Sequence, residues 1–173
     1  PGHCRELQGS DPQPAGMRPV SRGAADQSGT IESNRLVECS GIDVSGIRAD
    51  VLWAVNDSGD GPYLYALGMD GSDLGRVRIA GAANRDWEDM ATFAWRGRAM
   101  IAVADIGDNR ARHGTYRIYV VEEPRLAGMR FNPSAAVTVA WTVTFRYPDR
   151  SHDAEAAAVD VAGGQILILT KRD

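Results

Sequence analysis

Apolar residues along this chain fall in short runs, each bounded by Gly, Pro, Asp or Asn. Val51-Leu52-Trp53-Ala54-Val55 is one, and Tyr63-Leu64-Tyr65-Ala66-Leu67 follows it after a turn. Residues 100–104 and 116–121 make a second pair, 137–145 alternates apolar residues with Thr, and 165–170 is a last apolar run. These runs are rich in β-branched and aromatic residues and show almost no 3.6-residue period, so they predict strands. Met69-Asp70-Gly71 and Ala162-Gly163-Gly164 supply the positive φ angles that tight hairpins require. Residues 1–34 carry four of the eight prolines and no sustained apolar period. They read as a flexible Pro/Gly-rich arm ahead of an all-β domain at 35–173.

The domain repeats itself. Val55-Asn56-Asp57-Ser58-Gly59-Asp60 and Val103-Ala104-Asp105-Ile106-Gly107-Asp108 share the pattern V-x-D-x-G-D at an offset of 48 residues. Leu64-Tyr65-Ala66-Leu67 matches Ile118-Tyr119-Val120-Val121 once six further residues are allowed. Asp153-Ala154-Glu155-Ala156 mirrors Asp86-Trp87-Glu88-Asp89 at an offset of 67, with a long insertion around Pro124 to Pro133 making the difference. Lys171 then falls where Asp105 sits. Repeats of about 40–50 residues with four short strands are the signature of β-propeller blades. The expected fold is therefore a partial β-propeller of about three blades; a single β-sandwich is the alternative. Propellers close with about four to eight blades, so the chain is expected to be a fragment of a longer one.

Net charge is −4 and the pI about 5.4, which disfavours a nucleic-acid partner because phosphate contacts need clustered Lys and Arg. No apolar run approaches the ~20 residues of a membrane-spanning helix. Cys4 and Cys39 read either as a disulfide formed across the arm in an oxidising compartment or as free thiols.

If equivalent blade positions lie on one ring, Asp57 and Asp105 gather near one mouth of the channel with Glu88 and Glu155, and Asp60, Asp89 and Asp108 lie close by. Crowded carboxylates raise one another's pKa or recruit a cation, and Ca²⁺ accepts six to eight oxygen ligands. Asp57, Glu88, Asp105 and Glu155 are therefore the candidate Ca²⁺ ligands. The competing reading is that Asp before Gly caps a turn and that repeats reuse the turn. EF-hand loops are excluded, because position 12 is Leu67 or Tyr116 where a Glu is required. His152, beside Asp153 and Glu155, is the candidate for acid–base work, with a surface or capping role as its alternative. Lys171 is placed to bind an anionic substrate group or to neutralise the carboxylates as an ion pair. Trp53, Trp87, Trp95 and Trp141 are expected to pack between blades.

The ordered series N-D-S-G-D (56–60), D-W-E-D (86–89), D-I-G-D-N-R (105–110), Y-P-D (147–149), H-D-A-E-A (152–156) and L-T-K-R (169–172) resembles a family of bacterial, mostly exported and mostly uncharacterised β-propeller proteins. The resemblance covers residue 36 to the end. It implies an extracytoplasmic location and further blades, and it extends distantly to phytase-like, esterase-like and other six-bladed propellers. Two functions follow as expectations. The first is a non-catalytic binding or scaffold propeller for a small molecule or protein, with an acidic ring able to hold Ca²⁺. The second is a metal-dependent phosphoester or ester hydrolase, in which a metal-bound water attacks and Lys171 steadies the developing charge. No G-x-S-x-G elbow, P-loop or H-E-x-x-H motif is present.

Overall fold

A computed structural model describes residues 27–125, 130–132 and 134–171. Ten strands follow one another: β1 (Cys39–Val44), β2 (Val51–Asn56), β3 (Tyr63–Gly68), β4 (Asp73–Ala80), β5 (Trp87–Trp95), β6 (Arg98–Asp105), β7 (Tyr116–Glu122), β8 (Ala136–Phe145), β9 (Ala154–Asp160) and β10 (Gln165–Thr170). Among the described residues there is no helix, so the all-β expectation holds, and none could cross a membrane as a helix.

Strands β1 to β4 form one antiparallel meander and β5 to β8 another. A parallel pairing of Arg78–Ala80 with Ala136–Thr138 joins β4 to β8 and makes one eight-stranded mixed sheet, in the order β1-β2-β3-β4-β8-β7-β6-β5. Its end strands meet. Ser40 Oγ donates to Trp87 O at 2.7 Å, and Thr92 N donates to Asp43 Oδ2 at 2.7 Å. The sheet is thus nearly closed and barrel-like. The β9–β10 hairpin stands on the other side of β5, tied to it by the Ala157 N–H donating to Asp89 Oδ2 at 2.8 Å. Strands β1, β5 and β9 therefore lie side by side.

The core explains the pattern of the runs. Trp53, Val55, Leu64, Val77 and Ile79 from the first meander interdigitate with Met90, Ile101, Val103, Tyr119 and Val121 from the second. The opposite face of the second meander, with Ala102, Ala104, Ile118 and Val120, packs on Ala157, Val159, Ile166 and Ile168 of the hairpin. Strand β6 serves both clusters with alternate residues, which is why 100–104 reads as continuously apolar. A third cluster, Leu36, Ala54, Tyr65 and Leu67, covers the outer face of the first meander. Trp53 and Trp87 are buried as expected, but Trp95, the last residue of β5, and Trp141, in the middle of β8, are 37% and 39% exposed. Both line an open groove between the second meander and the β9–β10 hairpin.

Both glycine turns form, with Gly71 at φ +87 and Gly164 at φ +64. Ordered packing begins ahead of residue 35. The Glu32 N–H donates to Gly71 O at 3.0 Å, and Ser33 is buried. Cys4, and with it the disulfide expectation, lies outside the described residues.

One buried carboxylate fastens the first meander to the second. Glu123 follows β7, and its Oε1 accepts from Trp53 Nε1 at 2.9 Å and from Ser45 Oγ. Its Oε2 accepts from Gly46 N at 2.9 Å. Among the described residues no cation pairs with it.

Candidate functional site

Strands β1, β5 and β9 each begin with a bulge. In β1, Cys39 faces Asn56 and Gly41 faces Val55, leaving Ser40 over. In β5, Trp87 faces Asp105 and Asp89 faces Ala104, leaving Glu88 over. In β9, Ala154 faces Thr170 and Ala156 faces Leu169, leaving Glu155 over. A bulge bends its strand and re-aims the extra side chain. Here two of the three extra residues are glutamates on adjacent strands, and the residue before each of these two strands is an aspartate, Asp86 or Asp153.

The result is a carboxylate cluster with Glu88 at its centre. Ligand oxygens of Asp57, Asp86 and Glu88 lie within 4.8 Å of one another, and so do those of Glu88, Asp153 and Glu155. Glu88 belongs to both triads. It is only 7% exposed, and among the described residues no hydrogen-bond donor reaches its carboxylate. Burial, followed by the charges of Asp57, Glu155, Asp86 and Asp153, pushes it up to about 8. Burial and then Asp57 likewise hold Asp86 above the usual carboxylate range. The floor of the cluster is Gly107, whose N–H donates to Asp86 O at 3.1 Å. A Cβ there would overlap Glu88 Oε1 and the Asp86 carboxyl, so the backbone approaches the carboxylates as closely as glycine allows.

Lys171 closes the second triad. Its Nζ lies 2.5 Å from Glu155 Oε1 and 3.9 Å from Asp153 Oδ2, and its N–H donates to Asp153 O at 2.8 Å. The hydrogen bond it donates to Glu155 raises its pKa, with the charges of Glu155, Asp153 and Glu88 adding to it. The other oxygen of Asp153 accepts from Asp108 N at 2.8 Å.

Three of the four expected ligands, Asp57, Glu88 and Glu155, thus come together; Asp105 does not. It is fully buried, its Oδ1 accepts from Asp86 N at 2.9 Å, and Arg85 Nε stands 3.8 Å away. It braces Asp86 from behind, and its Oδ2 has no partner among the described residues. The reason is register. Asp105 faces Trp87 as Asn56 faces Cys39 and Thr170 faces Ala154, so Asn56 and Thr170, rather than Asp57 and Lys171, hold the position corresponding to Asp105. Strands β2 and β6 match at an offset of 49, and the offset of 48 flips every side chain to the wrong face.

Asp60 and Asp108 act on their own turns. Asp60 accepts from Asn56 Nδ2 and from Tyr65 Oη, at 2.8 and 2.5 Å. Asp108 accepts from Arg112 N and His113 N, both at 2.8 Å, and from Tyr116 Oη at 2.9 Å. Asp89 is spent on the β5–β9 contact. His152 is not in either triad: its Nε2 is 3.0 Å from Asp149 Oδ1, and its ring packs edge-on to Tyr147. Its expected partners Asp153 and Glu155 face elsewhere. Sequence reasoning left Asp86 and Asp153 out of the ligand set. The signal for them was the D-x-E spacing of Asp86/Glu88 and Asp153/Glu155, which sets an aspartate just ahead of each strand and a glutamate in its bulge.

Such a group of hard oxygen donors without an imidazole or thiolate suits a hard cation. Compared with family models, curated proteins and solved structures, the chain matches none of them.

Proposed function

We propose that this chain is a non-catalytic, cation-binding segment of a β-propeller, and that the Glu88 cluster takes a hard divalent cation such as Ca²⁺. The observation that carries the reading is Glu88 itself. Its carboxylate meets no hydrogen-bond donor among the described residues and four further carboxylates crowd toward it, which favours either protonation or a cation. Support for the propeller comes from the two meanders of like strand order, each bulged at matching places. In β4 the extra residue is Leu74, and in β8 it is Ala140. The side-by-side run of β1, β5 and β9 agrees with inner strands of neighbouring blades.

The test is thermal unfolding in EDTA and in 10 mM Ca²⁺. Extracellular Ca²⁺ modules bind at ~10⁻⁴–10⁻³ M, and a ligand at 100 times its Kd stabilises by about 2.7 kcal/mol. A Tm rise that Glu88→Gln abolishes supports the reading. An unchanged Tm, with no Ca²⁺ bound in equilibrium dialysis, sinks it.

The hydrolase alternative has one observation in its favour, the Lys171 ammonium at the rim of the cluster. It requires Ca²⁺-dependent cleavage of p-nitrophenyl phosphate or acetate, lost in Glu88→Gln. Binding without turnover leaves the non-catalytic reading standing.

A further inference from the structure

The connection from β6 to β7 and the one from β8 to β9 are tied together. Ser151 Oγ donates to His113 O at 2.7 Å, and His152 N donates to Tyr116 Oη at 3.2 Å. Residues 106–115 carry Asp108, Arg110 and Arg112, and residues 146–153 carry Arg146, Asp149, Arg150 and Asp153. All three aspartates are engaged. Asp108 accepts from Arg112 N, His113 N and Tyr116 Oη, Asp149 faces His152 Nε2, and Asp153 accepts from Asp108 N. Among the described residues none of the four arginines forms an ion pair. Between the two connections lies a pocket of about 200 Å³ whose lining includes His113, Tyr116, Arg146, Tyr147, Arg150 and Ser151, and no carboxylate lines it. The Tyr147 hydroxyl oxygen is buried and has no hydrogen-bond partner among the described residues. We propose that this pocket binds a small oxyanion, which sits against the guanidinium groups of Arg146 and Arg150 and accepts a hydrogen bond from Tyr147 Oη.

The donor set matches the ligand. A guanidinium presents a planar fork of N–H groups that fits the paired oxygens of a carboxylate, sulfate or phosphate. Two such forks at one pocket stand out in a chain whose net charge is −4. A hydroxyl closed off from water without an acceptor is unfavourable, and an oxygen of the anion is the acceptor that Tyr147 lacks. The pocket is smaller than the roughly 300–1,000 Å³ of a site for a drug-sized ligand, so it takes a head group rather than a large molecule. Its wall is braced. The Tyr147 ring lies 4.9 Å from that of Tyr116 and 4.7 Å from that of His152, edge-on to both, and Ser151 Oγ is spent on the His113 carbonyl. A wall fixed in advance leaves less to be ordered when the ligand arrives.

The pocket shares no lining residue with the Glu88 triads, so the inference stands apart from the cation-binding reading. Binding is measured by isothermal titration calorimetry on the full chain in EDTA, which removes Ca²⁺ as a rival ligand for the anion. Phosphate, sulfate and acetate are the probes in turn, with chloride holding the ionic strength constant. At least one of them should bind saturably at a single site, and the tightest tells a tetrahedral head group from a planar carboxylate. Arg146→Gln and Arg150→Gln should each weaken that binding about tenfold or more, and Tyr147→Phe about threefold or more. Arg150→Lys, which keeps the charge and loses the fork, should fall between wild type and Arg150→Gln. Arg98→Gln, on the surface beside Glu122, should leave binding unchanged. Every variant is checked for native far-UV circular dichroism. If Tyr147→Phe does not fold, the exposed arginines carry the test. No saturable binding of any of the three anions overturns the proposal. So does binding that Arg98→Gln weakens as much as Arg150→Gln does, because the effect would then be one of overall charge. Neither result bears on Ca²⁺ binding.

Discussion

Glu123 offers the sharpest test of how the two meanders are held together. Replacing it with Ala leaves the indole N–H of Trp53, itself 1% exposed, without an acceptor. Ser45 Oγ loses its acceptor as well, whereas the Gly46 N–H is at the surface and can turn to water. A hydrogen bond to a charged group contributes about 1.5–3 kcal/mol, and a buried donor left unsatisfied costs about 1–3 kcal/mol. With two such donors stranded, and partial relaxation, Glu123→Ala should destabilise by about 3–5 kcal/mol. That is a fall in Tm of roughly 10 °C for a domain of this size. Glu123→Gln keeps one carbonyl acceptor but turns an NH₂ toward donors, so it should cost about 1–3 kcal/mol. The assay is urea unfolding followed by tryptophan fluorescence, with Trp53→Phe completing a double-mutant cycle. The coupling between Glu123→Ala and Trp53→Phe should be about 1–2 kcal/mol, because the second change removes the stranded donor. A cost under about 1 kcal/mol for Glu123→Ala, or additive effects in the cycle, would refute the argument that this carboxylate pins the sheet.

Two further outcomes follow from the close approach of β1 to β5 and from two tyrosines. A Cβ at Gly41 would lie 2.7 Å from Met90 N and 2.9 Å from the Asp89 backbone. Gly41→Ala should therefore cost about 2–3 kcal/mol in urea unfolding, at the overpacking end of the scale. Gly114→Ala, with nothing within 4 Å, should be near neutral; equal costs for the two would mean the strands are looser than drawn. Burial, reinforced by Asp60, pushes the Tyr65 hydroxyl up to about 12, and burial beside Tyr116 and Asp153 does the same for Tyr147. A raised folded-state pKa gives stability that is fully present below the unfolded value of about 10 and is lost as pH rises through 12. Absorbance at 295 nm should show these tyrosines ionising late and together with alkaline unfolding, and ionisation of all five near pH 10 in the folded protein would contradict it.

What the sequence revealed divides by position in the sheets. The buried middle strands β2, β3, β6 and β7 carried their own signal, because both faces are covered and nearly every residue between their ends is apolar. Strand β8 was legible from its alternation of apolar residues with Thr, and β10 from the unbroken run Ile166-Leu167-Ile168-Leu169, of which only alternate residues are half-buried. Strands β1, β5 and β9 were not. They lie side by side where space is short, so they are built from Gly41, Ala91 and Ala156-Ala157-Ala158, residues with little β-propensity and, in the last case, a helical look. Tertiary crowding chose those residues, and local pattern could not reveal it. Strand β4 hid behind Gly75 and the alternating arginines Arg76 and Arg78.

The candidate site failed at a finer scale, and for a reason that reaches beyond this chain. V-x-D-x-G-D matches at an offset of 48, yet the strands that lead into it match at 49. The offset of 48 is correct only for the bulged strands, where Ser40 stands to Glu88 and Gly41 to Asp89. Aligning the aspartates kept identical letters in register while the backbone slipped by one, which put Asp105 in the cluster and left Asp86 out. Asp105 is instead the buried acceptor that positions the Asp86 backbone, through a bond of 2.9 Å. Glu88 and Glu155 survived because both are the extra residue of a bulge, a feature fixed by pairing on either side. The D-x-E pair is therefore a sounder guide to this site than the longer motif, since it carries the bulge and the residue just ahead of its strand together.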